Sequence, residues 1–153
     1  MKLLSKFFGL KSTVTPETHE GRGTREADAA IREALAGRIA VPEMLRAILA
    51  AQIYVPLSAP PVFRGNYMQS WHPSTVTKRD GGQQFLVVFT DDALVGAYHK
   101  ANPEYSYLFA IDAFSVLTLL PPKHGIVFNI GDETSFFEWS AEEISAYREE
   151  MEW

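Results

Sequence analysis

The run Phe85-Leu86-Val87-Val88-Phe89 is apolar at every position, unlike the mixed segments around it. Such a run predicts a strand covered on both faces. Asp80-Gly81-Gly82 before it is a strong turn signal, so the TVTK segment at 75–78 and the strand 84–89 form a hairpin. Upstream, Ala27, Ala30, Ile31, Ala34 and Leu35 recur at helical spacing, which predicts a helix from an N-cap at Thr24 to Leu35, ended by Gly37. Pro42 and Glu43 suit the first turn of a second helix, with Met44, Leu45, Ile48 and Leu49 on its buried face. Gln52–Pro56 then reads as a short strand, stopped by the segment LSAPP.

The second half alternates in type. A helix over 92–100 precedes a strand over 105–111, a helix over 113–120 ends at Pro121, and GIVFN at 125–129 is another apolar strand. SFFEW supplies an edge strand, and Ser140 with Glu143 forms a capping box that opens a last helix. The fold class expected is therefore mixed α/β (α+β). Two N-terminal helices, a β-α-β-α-β C-terminal half with parallel pairing, and a closing C-terminal helix make it up.

Residues 1–11 carry Lys2, Lys6 and Lys11 and no acid. Wound as a helix they place Leu3, Leu4, Phe7, Phe8 and Leu10 on one side, the pattern of a short helix that contacts a membrane surface or a partner weakly. Lys6 interrupts the apolar run and no A-x-A-like site follows, so a signal peptide is not expected. Residues 12–24 are polar and broken by Pro16, Gly21 and Gly23, as a flexible linker is. The expected organisation is a basic amphipathic tail and linker over 1–23 and a single domain over 24–153.

Composition narrows the function classes. With 153 residues, 46% hydrophobic and 22% charged, the chain can bury one proper core. The absence of cysteine removes thiolate chemistry and disulfides, and fits a cytoplasmic protein. A net charge of −5 argues against nucleic-acid binding, which needs clustered Lys and Arg. The acids from Asp132 to Glu152 are answered only by Arg148, so the C-terminal end is acidic.

The sequence holds no P-loop, no HExxH and no GxSxG motif. Asp91 and Asp92, at the end of the central strand, are the best acid pair, with Asp112 after the next strand. Converging, they could serve a metal-dependent or small-ligand enzyme. Yet each also sits where a helix begins, and a capping role explains both places without a ligand. His99 reads as a surface residue near a helix C-terminus and His124 as part of a turn. Asn129-Ile130-Gly131-Asp132-Glu133 reads as a tight turn. No catalytic residue, metal ligand or cofactor is expected. Phe63, Tyr67 and Trp71 share one face if their segment is extended, and with Arg64 and His72 they form a candidate recognition surface.

ILAAQIYVP, FLVVFTDDAL, AIDAFSVLTLLPPKHGIVFNIGD and SAEEISAYR, in that order, resemble the N-terminal domain of the bacterial SseB family. The resemblance spans residues 27–148. Ile130 stands where the family's turn has Pro, and SWHPSTVTKRDGG is long for its place. The resemblance implies an intracellular bacterial protein, linked in some members to type III secretion or serine sensitivity, and transfers no catalytic residues. The expected function is a non-enzymatic protein-interaction or regulatory domain with an unidentified protein partner. Its narrower form is an immunity or chaperone-like protein whose acidic surface shields a basic partner.

Overall fold

The computed structural model describes residues 22–151. Residues 1–11, His19 and most of the predicted linker lie outside the described residues. Helix α1 (Arg22–Leu35) starts upstream of Thr24, so Thr24 lies inside the helix and not at its cap. Gly37, at φ 75°, takes the left-handed conformation that ends it. Helix α2 (Val41–Leu49) has Pro42 in its first turn and buries Met44, Leu45 and Ile48, as its spacing predicted.

The strands are β1 (Gln52–Leu57), β2 (Val62–Arg64), β3 (Tyr67–Ser70), β4 (Thr75–Thr77), β5 (Gln84–Val88), β6 (Tyr107–Asp112), β7 (His124–Phe128) and β8 (Phe137–Trp139). A short 3-10 turn (Asp92–Leu94) and helix α3 (Gly96–Ala101) follow β5. Helix α4 (Ala113–Leu119) joins β6 to β7, and α5 (Ala141–Glu150) closes the chain. The mixed α+β class is as the sequence predicted.

β4, β5, β7 and β8 form one sheet in that order, with β5 and β7 parallel and the outer pairs antiparallel. The turn at 80–82 joins β4 to β5 as expected, and Lys78 N–H donates to Gln83 O across it at 2.8 Å. The parallel series predicted for the second half holds only for β5 and β7. β6 leaves that sheet and pairs antiparallel with β1, Ile53 opposite Ile111 and Val55 opposite Phe109. Two isolated antiparallel bridges tie the other side of β1 to the segments flanking β4 and β5: Leu57 with Pro73, and Tyr54 with Phe89, the latter pair exchanging backbone hydrogen bonds of 2.8 Å each way.

The central strands are buried on both faces. Leu86, Val88, Ile126 and Phe128 point into the main core, with Ile31 of α1, Met44 and Ile48 of α2, Val116 and Leu117 of α4 and Ile144 of α5. Phe85, Val87, Phe89 and Val127 point the other way, toward Val95, Tyr98 and Leu94 of the 3-10 turn and α3. Each large side chain so buried contributes about 1.5–3 kcal/mol. The missing polar alternation in FLVVF follows from this double cover. Gly125 is a packing requirement, since a Cβ there would lie 2.6 Å from the Phe85 ring and 2.7 Å from Trp139 O.

Candidate functional site

The C-terminal ends of two parallel strands are the usual place for a ligand crevice. Here Thr90 lies two residues beyond β5 and Asn129 directly follows β7, and both residues are fully buried. Thr90 N–H donates to Asn129 Oδ1 at 2.9 Å, and Asn129 Nδ2 donates to Thr90 Oγ1 at 2.9 Å and to Ser135 O at 3.2 Å. Thr90 Oγ1 also reaches Asp28 Oδ1 of α1, at 3.4 Å. The strand ends are thus closed by their own chain.

Around this closure α1 and the β7–β8 loop are clamped together. Arg32 bonds Asp28 at 2.9 Å, one helical turn away, and Asp132 at 3.3 Å, and it also donates to Thr134 Oγ1. Asp132 accepts from Thr134 N at 3.0 Å, Thr134 Oγ1 at 2.7 Å and Ser135 Oγ at 2.9 Å. These bonds, led by the Thr134 hydroxyl and helped by Arg32, hold the Asp132 carboxyl below its ordinary range. The hydrogen bond to Asp28 holds the Arg32 guanidinium above its own. The turn predicted at 129–133 is present, with Asp132 N–H on Asn129 O at 3.0 Å. Its link to α1 was not foreseen. The only sequence signal was the spacing of Asp28 and Arg32, which suits an i,i+4 ion pair.

Asp91 behaves as a cap: its Oδ1 accepts Ala93 N–H at 2.9 Å, at the start of the 3-10 turn. The helix expected over 92–100 is split there, because the chain makes this tight turn before α3 begins at Gly96. Asp112 occupies the N-cap position of α4 but makes no side-chain cap bond, so the device expected to recur there does not. Among the described residues no group of three or more His, Asp or Glu is placed to hold a metal. The structure therefore does not bring Asp91, Asp92 and Asp112 together into one metal site.

The segment 62–71 is a hairpin and not one extended strand. Gly65, at φ 61°, turns β2 into β3, and Phe63 pairs with Met68 and Arg64 with Tyr67. Phe63 and Trp71 are half-buried against the main core, with the Phe63 ring centroid 6.4 Å from that of Phe109. Tyr67 is 55% exposed and Val62 50%. Arg64 and His72 are exposed beside them. The five residues of the predicted recognition surface therefore divide into two anchors and an exposed remainder.

His99 is half-buried instead of lying on the surface, with its Nε2 buried and unpaired. His124, expected in the turn, is instead the first residue of β7, paired with Gln84 of β5. Its Nε2 meets Gln84 Oε1 at 2.8 Å and its Nδ1 meets Pro122 O at 3.1 Å, tying the starts of β5 and β7. An open cavity of about 690 Å³ lies at this end, lined by Gly82, Gln84, Lys123, His124, Glu142 and Ser145 among others. It is at the opposite end of the parallel strands from Asp91 and Asp92.

No helix among the described residues is long and apolar enough to cross a membrane. No curated protein and no solved structure matches this chain. The sequence model described as the SseB protein N-terminal domain matches residues 27–144, from the second turn of α1 to the buried Ile144 of α5. The chain belongs to the SseB family, through its N-terminal domain.

Proposed function

We propose that this chain is a non-enzymatic regulatory domain that binds a protein partner in the cytoplasm, through the β2–β3 hairpin. The carrying observation is the exposure of Val62 and Tyr67 on a hairpin whose other side is anchored by Phe63, Met68 and Trp71. A large aromatic held on a rigid arm loses little entropy on binding and suits an interface anchor. Arg64 and His72 supply the polar rim.

The partner's binding face is basic in part, because α5 exposes Glu142, Glu143, Glu149 and Glu150. An immunity or chaperone-like role, or one tied to secretion, is the finer form of this reading. Residues 1–11 add a weak membrane or partner contact. Neither nucleic acid nor a cofactor has a part in it. An enzyme centred on strand-end acids has less support, since Asp91 caps a turn and the crevice is filled by Thr90, Asn129 and Asp28.

The test is capture from the protein's own cytoplasm with the full chain as bait, beside a Val62→Ser/Tyr67→Ala variant. A specific protein retained by the native chain and lost with the variant is the expected result. Equal retention by both, or nothing specific on either, overturns the reading.

A further inference from the structure

We propose that two copies of this chain pair edge to edge through β6, antiparallel, about a two-fold axis at Phe109. Tyr54 spends its N–H and C=O on Phe89, so along β1 the even-numbered residues face away from β6. Pro56 follows the same rule, its C=O accepting from Ser74 N–H at 2.9 Å. Ile53, Val55 and Leu57 therefore bond Ile111, Phe109 and Tyr107, and Ala113 N–H continues the series onto Ala51 O at 3.1 Å. By elimination, Leu108 and Ala110 point their N–H and C=O groups away from β1, where no strand pairs with them among the described residues.

Exposed edges of this kind are normally blunted by Lys, Pro, a bulge or short length. The far edge is blunted so: β8 has three residues, and its Glu138 is engaged by Lys78 at 3.2 Å. β6 is six residues long, regular in register, and carries no Lys, Arg or Pro. Its one charge is Asp112, at the end.

The occupant that fits is a second β6, because the strand complements itself. With Phe109 on the axis, Leu108 opposes Ala110 of the other copy and Ala110 opposes Leu108, both as hydrogen-bonded pairs. Large meets small on that face. On the other face Tyr107 opposes Ile111 and Phe109 opposes Phe109, and both pairs are apolar. Asp112 falls opposite Ser106, so no acid meets an acid. Tyr107, 37% exposed at the edge, gains cover in this arrangement.

The test is analytical ultracentrifugation of the full chain with two variants at Ala110. Ala110→Pro removes an outward N–H that β1 does not use, a position where an edge strand tolerates proline. The native chain should sediment as a dimer. The variant's dissociation constant should rise about tenfold or more, through the bond lost on each copy, with an unchanged circular dichroism spectrum. Ala110→Cys, the only thiol in an otherwise cysteine-free chain, should cross-link with a short bis-maleimide, since the two positions are diagonal neighbours. A native chain that stays monomeric at about 100 μM, well above ordinary micromolar affinity, overturns the proposal. So does a folded Ala110→Pro chain whose dimer dissociation constant is unchanged, or a dimer that does not cross-link at position 110. Partner capture through Tyr67 is a separate readout, so either idea can fail alone.

Discussion

Thr90 and Asn129 hold each other across the ends of β5 and β7, each giving the other a hydrogen bond of 2.9 Å while fully buried. Asn129 does this from φ 55°, a left-handed conformation that Asn adopts more readily than most residues. Asn129→Ala would strand the Thr90 N–H and add left-handed strain. We expect a loss of ~3 kcal/mol, read as a lower urea midpoint at unchanged slope. Asn129→Gly, which relieves the strain but not the lost bonds, should recover only part of it.

Asp132 predicts the acid limb of stability. Its folded carboxyl titrates below the ordinary value, because Thr134, Ser135 and Arg32 favour the charged form. That contribution is present above the unfolded value, about 3.9, and is lost as pH falls through the lower folded value. Thermal melts between pH 7 and pH 2.5 should therefore show a shallower acid decline for Asp132→Asn than for the native chain. Parallel declines would mean that the cluster does not couple to folding.

Tyr98 sets a second pH limb, of opposite sign. Burial raises its phenol above the ordinary range, although the hydroxyl contact with Ser74 pulls the other way. A raised folded value means stability present below about pH 10 and lost as pH climbs through the folded value. Tyr98→Phe should weaken that alkaline loss. At neutral pH it should cost ~1 kcal/mol, because the buried Ser74 hydroxyl loses its partner.

Gly125→Ala tests the close approach of β7 to its neighbours. The added methyl would meet the Phe85 ring and Trp139 O well inside contact distance, and the backbone oxygen cannot swing aside. A loss of ~2 kcal/mol or more is expected in chemical denaturation. The same change at Gly96, where nothing lies within 4 Å, should cost nothing measurable and serves as the control.

Asp91→Ala should cost ~1 kcal/mol as the loss of a cap. The melting temperature of the native chain should not respond to Mg²⁺ or Mn²⁺. A metal-dependent rise abolished by Asp91→Asn with Asp92→Asn would return the strand-end acids to candidacy for chemistry.

Much of the local structure was legible because the relevant signals are short in range. FLVVF announced a doubly covered strand, Asp80-Gly81-Gly82 a hairpin turn, and Ser140-x-x-Glu143 a helix start, where the Ser140 hydroxyl accepts Glu143 N–H at 3.1 Å. The hairpin at 62–71 was not legible because Phe63, Tyr67 and Trp71 keep the period of a single strand, while Gly65 reverses the chain between them. The candidate site was the least legible part. Asp28 and Arg32 are about a hundred residues from Asp132 in sequence, and nothing local says that they meet.

The sequence by itself determined the class of the fold, the places of most elements, the family, and Asp91 as a cap, since periodicity and backbone hydrogen-bond demand act over a few residues. Only the tertiary structure decided that β6 pairs with β1 instead of continuing the parallel sheet. It alone brought α1 over the ends of β5 and β7. Those choices are made by which apolar faces and unpaired backbone groups meet across long loops, and a linear pattern does not record them.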